Sequence, residues 1–332
     1  MRPELKFGVS LPLGATGPAE EMGFGDVLDY ALKAEREGFD MVTVADHVFI
    51  RYEALSILSA VAAATEGIGV GTSVLDLNRR PPAVLAHATA TLDQVSGGRL
   101  TLGVGRGVWN EATYGRPIER PVSRMREVII VLKRFWTEDR VNHAGPFFSF
   151  RGASVAARPA QRPHPPIWIA AFGPRMLRIA GELGDGFVTQ NLPPELFERD
   201  LREARESARD HGREPEEVAG VFAAPMAVAP EYDDALRHVE GTVRGALFRR
   251  GGPPWRFADR LGHGEPWERE EDVPLDLVDR CCIFGTPDDC IDKIEGYAER
   301  GASCFSALPL YPPGSEGLEL FAREVIAYFR DG

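Results

Sequence analysis

Short apolar segments alternate with amphipathic ones along almost the whole of this 332-residue chain, and that alternation most limits what it can fold into. Strands that recur after every helix pair in parallel, and a parallel sheet needs helices over its face. Phe7–Leu13 reads as the first strand. Phe24–Glu37 reads as the first helix, with Leu28, Ala31, Leu32 and Glu35 at helical spacing and Gly38 past its end. The rhythm continues through strand Met41–Ala45, helix Ala54–Thr65, strand Ile68–Leu75, helix Pro82–Val95, strand Leu100–Val104 and helix Val122–Trp136.

The rhythm breaks twice. Val141–Pro165 carries aromatics, Gly and Pro without helical period and predicts an inserted hairpin and loop. After it come strand Ile167–Phe172, a helix opening at Gly173-Pro174, strand Gly186–Gln190, helix Glu195–His211 and strand Val218–Ala229. The second break, Arg249–Pro274, is rich in Gly, Pro and charge and predicts a mobile excursion. Cys282–Gly285, helix Pro287–Arg300, an eighth strand Cys304–Leu310 and helix Gly317–Phe329 close the chain. Eight βα units in this length predict an α/β protein, a TIM (β/α)8 barrel formed as one domain over 1–332, with an inserted segment after the fourth unit. An open doubly wound sheet is the alternative, but no G-x-G-x-x-G follows the first strand.

The net charge of −12 disfavours nucleic acid and anionic membranes as partners. No apolar run approaches the roughly 20 residues of a membrane span, and the start, MRPELKFGVS, has no signal-peptide core. Cys281, Cys282, Cys290 and Cys304 lack metal-ligand spacing and read as reduced thiols of a cytoplasmic protein. His87, His143, His164, His211, His238 and His263 are scattered, so no metal site is expected.

In a barrel the chemistry gathers at the C-terminal strand ends. Strand two ends in Asp46-His47, which fits an acid/base pair whose carboxylate fixes the imidazole tautomer and raises its pKa. It equally fits a helix-capping Asp beside a surface His. Gly103, Gly105 and Gly107 after strand four suit either the close approach of a flat ring or phosphate, or a tight turn. Arg79-Arg80-Pro81 fits an anion site or a solvated loop. Gly173-Pro174-Arg175-Met176 joins a strand to a helix start, where first-turn N–H groups and the Arg175 charge favour an anion. No G-x-S-x-G elbow and no P-loop occurs.

AEREGFDMVTVADH, IGVGTSVL, RRPPAVLAHATATLDQVSGGRLTLGVGRG, PPIWIAAFGPRMLRIAGELGDGF and GTPDDCIDKIEGYAERG together resemble the bacterial-luciferase-like superfamily of flavin and deazaflavin oxidoreductases. The L-D-x-x-S-G-G-R-x-x-L-G-x-G signature, Leu92 to Gly105, is its most specific element. The resemblance covers most of the chain and implies a TIM-like barrel with an inserted segment, usually dimeric. The stretch from Arg80 and the G-P-x-M-L run from Gly173 resemble the branch that uses coenzyme F420, which includes methylenetetrahydromethanopterin reductase. The resemblance implies hydride transfer between the deazaflavin and a small organic substrate. An FMN-dependent monooxygenase with a separate reductase, or a non-catalytic flavin-binding barrel, are the alternatives.

Residue by residue, the resemblance implies that Asp46 and His47 stand beside the reacting ring, with His47 as proton donor or acceptor. Ser73-Val74 would cushion one ring face, often through a cis peptide. Gly105 and Gly107 would lie under the ring, Gly173, Pro174, Arg175 and Met176 would hold phosphate, and Asn110 would make a polar ring contact. One departure stands out. In F420-dependent sugar-phosphate dehydrogenases a glutamate follows the strand-four glycines; here Val108-Trp109 stand there and Glu111 comes later. With Trp109, Tyr114 and Phe49 nearby, a flatter or more apolar substrate is expected. The two breaks, with Phe147, Phe148, Trp255, Phe257 and Trp267, would shape the mouth as a lid or pack as satellite core.

Overall fold

The computed structural model describes residues 4–14, 22–48, 50–107, 115, 117–248, 267–310 and 316–330. Its strands are β1 (Lys6–Ser10), β2 (Met41–Val44), β3 (Gly69–Asp76), β4 (Leu100–Gly105), β5 (Val141–Ala144), β6 (Ser149–Ala153), β7 (Ile167–Ala170), β8 (Gly186–Thr189), β9 (Ala219–Val228), β10 (Ile283–Gly285) and β11 (Ala302–Pro309). Eight of them close a parallel ring in the order β1-β2-β3-β4-β7-β8-β9-β11. The register runs Phe7↔Phe305 where β1 meets β11, Val42↔Val70, Val70↔Leu100, Leu102↔Ile167 and Phe187↔Gly220. The ring is the predicted barrel, and closure excludes the open sheet.

The helices are α1 (Phe24–Arg36), α2 (Ala54–Ala64), α3 (Pro82–Val95), α4 (Pro121–Thr137), α5 (Pro174–Leu183), α6 (Pro194–Asp210), α7 (Tyr232–Phe248), α8 (Leu275–Arg280) and α9 (Pro287–Ala298), with a closing helical segment from Gly317 to Arg330. Five of these, α3 to α6 and α9, begin with proline, which fixes φ and lacks only an N–H that would have had no helix partner. Thr286 and Asp289 add a capping box to α9, each accepting the other's backbone N–H. Helices α7 and α8 were not read from the sequence; both flank the Gly/Pro-rich second break.

Side chains alternate along each strand. One set, including Phe7, Val9, Val42, Val70, Leu102 and Phe187, faces the helices in the main core. The other fills the lumen, where Met41, Val188, Val221, Ala223 and Cys304 pack with Trp168. Glycines make room there: a Cβ at Gly8 would lie 2.6 Å from Met41, and one at Gly186 2.5 Å from Trp168. Above this plug, Thr43 Oγ1 lies 3.2 Å from Ser10 Oγ and 3.3 Å from Ser306 Oγ.

The inserted hairpin is present, with β5 and β6 antiparallel. It is fastened to α4 rather than poised over the barrel mouth. The buried Glu127 carboxylate accepts the Phe147 and Phe148 amides and meets His143 Nε2 at 2.9 Å. Arg124 lies over the Phe148 ring, and Phe150 packs edge-on against Phe135. Phe148 and Trp267 therefore pack as satellite core. Trp255 and Phe257 lie outside the described residues. All four cysteines are buried free thiols; burial pushes Cys290 and Cys304 up to about 12. No helix among the described residues is long and apolar enough to cross a membrane.

Candidate active site

At the C-terminal end of the ring a cavity of about 670 Å³ opens. Every described residue to which the resemblance gives a role lines it: Asp46, His47, Ser73, Val74, Gly105 and Gly107 on one side, and Gly173 to Met176 on the other; Gly103 and Arg80 do not. Asn110, like Phe49, Trp109, Glu111 and Tyr114, lies outside the described residues. Ala170 lines the floor beside Val188 and Ala223, which belong to the lumen plug itself, and Phe172 also lines the cavity. No residue of Val141–Pro165 lines the cavity, so the expectation that this insertion shapes the mouth is not met.

Ser73-Val74 is a non-prolyl cis peptide. It falls where the β3–β4 register shifts between Thr72 and Leu75. Gly103 and Gly105 fit beneath this bulge: a Cβ on Gly103 would lie 2.0 Å from Thr72 O, and one on Gly105 2.8 Å from Val74 Cγ2. Gly107 has φ +73, and its Cβ would lie 2.1 Å from Asp76 Oδ2. The glycine run is thus required by close approach, whatever occupies the cavity.

The Asp46 carboxylate is held by groups from the end of β3 and the segment after it. Arg80 donates to both of its oxygens, at 2.8 and 3.1 Å, and the Asp76 amide donates to Oδ2 at 3.1 Å. Arg79 Nη1 lies 3.6 Å from Oδ1. Arg80 also pairs with Glu53, which caps α2 by accepting the Ser56 amide. Arg79-Arg80 is therefore a buttress of the site and not a solvated loop. Its effect corrects the expected direction at His47: burial and the Arg79 charge hold the imidazole below its ordinary pKa, outweighing Asp46 and Asp76. Both influences favour the uncharged imidazole at His47.

Asp76 is the residue that sequence reasoning missed. Its side chain is 4% exposed, yet it lines the cavity. Oδ1 accepts the Asn78 amide at 2.9 Å and Oδ2 faces Arg79 Nε at 3.3 Å. Burial raises its pKa against the Asn78 amide and Arg79. An acid one residue past the predicted strand, three before an arginine pair, was the available signal.

Across the cavity Gly173 has φ +95 and precedes α5. Pro174 has no N–H, and the Met176 and Leu177 amides both bond Gly173 O at 3.1 Å. The first turn therefore offers fewer amides than predicted, with Arg175 its main addition. The exposed Arg175 side chain touches only Ser123 Oγ, at 3.4 Å, among the described residues. Arg106 also lines the cavity. Among the described residues, Thr189 Oγ1, a hydroxyl of a cavity-lining residue that is 1% exposed, has no hydrogen-bond partner. Among the described residues no cluster of three His, Cys, Asp or Glu could hold a metal.

A family model described as luciferase-like monooxygenase matches residues 5–304. The chain is 32% identical to an F420-dependent glucose-6-phosphate dehydrogenase of Amycolatopsis mediterranei, over 96% of this chain and 99% of that one. It is 28% identical to a 5,10-methylenetetrahydromethanopterin reductase of Archaeoglobus fulgidus, over 97% and 99%. The coenzyme F420-dependent tetrahydromethanopterin reductase of Methanopyrus kandleri superposes with a TM-score of 0.79 at 27% identity, covering 98% of this chain and 99% of that one.

Proposed function

We infer that this chain, which belongs to the luciferase-like monooxygenase family, is an oxidoreductase that uses coenzyme F420 on a small organic substrate. Of the relatives named above, the Amycolatopsis dehydrogenase and the Methanopyrus reductase are F420-dependent by name, and all three share nearly their full length with it. The observation that carries the reading is the convergence of the motif residues from β2, β3, β4 and the β7–α5 turn on one cavity. That cavity lies within the usual range for organic ligands. Its fit to a flat, phosphorylated cofactor is supported by three features: a wall without side chains at Gly105 and Gly107, the Ser73-Val74 bulge packed against Gly105, and the Arg175 side chain at the start of α5.

F420, when bound, supplies hydride chemistry. The protein's part is different. Val74 and the glycine run offer a close-fitting wall for a ring, and Gly173 to Met176 with Arg175 hold a phosphate. Ala170, with Val188 and Ala223 of the lumen plug, leaves room for a ring above them. Neutral His47 takes a proton from the substrate in the oxidising direction and returns it in the other. Asp46, gripped by Arg80, fixes the end of β2 from which His47 projects. Val84 and Val95, 59% and 46% exposed along α3, support a second copy packing on that helix, to be checked by light scattering.

Titrating the purified protein with F420 and with FMN, followed by tryptophan fluorescence, tests the cofactor. F420 should bind at least about tenfold more tightly, a difference of about 1.4 kcal/mol. Tighter FMN binding overturns the reading in favour of the monooxygenase. Turnover on alcohols, sugar phosphates and methylene-pterins, followed by the cofactor's absorbance, then identifies the substrate class.

A further inference from the structure

Asp76 is a buried carboxylate on the cavity for which the reading above has no use. It ends β3, the strand paired with β2 through Val44↔Thr72, and His47 follows the end of β2. The two ends are tied where the Asp76 amide donates to Asp46 Oδ2, so His47 and Asp76 line the cavity from neighbouring strands. The chain keeps this carboxylate at a cost in freedom elsewhere. A Cβ on Gly107 would lie 2.1 Å from Oδ2 and 2.7 Å from Oδ1, so the turn after β4 can cross it only as glycine. A carboxylate that served only to anchor Arg79 would be redundant, since Asp46 already faces the same guanidinium.

We propose that Asp76 is a second acid/base group of the site and that it handles one proton jointly with His47. The proposal rests on the cavity being the redox site of the oxidoreductase inferred above. A proton that His47 takes from a substrate passes to the Asp76 carboxylate and leaves the imidazole neutral; the reverse transfer supplies a proton to the substrate. The charged groups around the pair are Asp46 from β2, Arg79 and Arg80 from the segment after β3, and Arg106 from the end of β4, with Glu53 behind Arg80 and Arg175 across the cavity. Burial favours the uncharged form of both members, raising Asp76 and lowering His47. Their proton affinities thus move towards each other, and the Asp76 charge acts on His47; groups that interact strongly enough titrate as a pair.

The test is the NMR titration of the His47 imidazole in the cofactor-free protein, its signal assigned by loss in His47→Gln. The wild type should titrate in two steps separated by about one pH unit or more, as strongly interacting sites do. In Asp76→Asn a single step should remain, displaced to lower pH because a carboxylate that favours imidazolium is gone. Asp76→Glu should restore the second step. A single step in the wild type, coincident with that of Asp76→Asn, overturns the proposal. The wild-type curve needs no variant, so a misfolded Asp76→Asn does not rescue it. The readout also needs no cofactor: failure of F420 to bind would refute the proposed function and leave this titration to be judged separately. With turnover in hand, Asp76→Asn should lose one limb of the kcat–pH profile while its cofactor affinity stays within about twofold, a change near 0.4 kcal/mol.

Discussion

The two ends of the barrel handle arginine in opposite ways. At the N-terminal end, Arg99 is saturated. Its guanidinium donates to Ser96 O, Ile68 O, Ala62 O, Thr65 O and Thr65 Oγ1, at 2.6 to 3.0 Å. Nearby, the fully buried Asp93 accepts the Gln161 amide and side chain, and Gln161 in turn donates to Leu100 O. At the C-terminal end, Arg79, Arg106 and Arg175 border a cavity. The most specific sequence signature, Leu92 to Gly105, runs from one end to the other. Its Asp93 and Arg99 secure the closed floor, while its glycines reach the open face. A motif that identifies a family is here largely a statement about stability, and only its last residues bear on chemistry.

That division can be broken by experiment. His47→Ala should lower kcat about 10²–10⁴-fold, the usual worth of a positioned acid or base, with an unchanged unfolding midpoint and unchanged cofactor affinity. Steady-state kinetics alongside denaturant melts would show it; loss of cofactor binding instead would remove His47 from the proton role. Arg99→Ala should do the reverse, costing about 3 kcal/mol of stability through carbonyls left without donors, while the folded fraction keeps its cofactor affinity. A stable Arg99→Ala protein with impaired turnover would abolish the contrast between the two ends.

Arg175→Ala should weaken cofactor binding about tenfold, in line with one charge-assisted contact, and leave kcat at saturation almost intact. Equal affinity in both proteins would place the phosphate elsewhere. The smallest effect expected is on pH. His47 must be neutral to accept a proton, and its pKa is held below 6.5 by burial and Arg79. The oxidising rate should therefore persist below pH 6.5 and fall only as pH drops through the lowered value. Arg79→Gln removes one of the two depressing influences and should move that acid limb upward, by less than about one pH unit.

The barrel was legible because parallel strands and amphipathic helices leave different periods. The predicted seventh strand, Val218–Ala229, differs from β9 by one residue at each end. The fifth was read two residues too long because Ala171 and Phe172 continue its apolar run into the turn. Helix α7 escaped notice because it leads into the Gly/Pro-rich second break. At the site, strand-end logic found His47 and Gly173 and the resemblance supplied the cis bulge, all local features. The missed links join residues far apart in the chain, such as Arg80 with Asp46 across 34 positions and Asp76 with Gly107 across 31. Neither periodicity nor spacing encodes such contacts. The misjudged sign at His47 has the same origin, since its effective neighbour was Arg79 and not only the adjacent aspartate.

The contact between Gly107 and Asp76 also constrains the order in which this site can diverge. A side chain at 107 is opposed both by the positive φ of the turn and by the carboxylate at 76, so a lineage that fills 107 must first shorten residue 76 and also re-form the turn. The opposite order passes through a clashing intermediate. Among related chains, a non-glycine at this turn should accompany a smaller residue at the end of β3, and the two positions should be inherited as a pair.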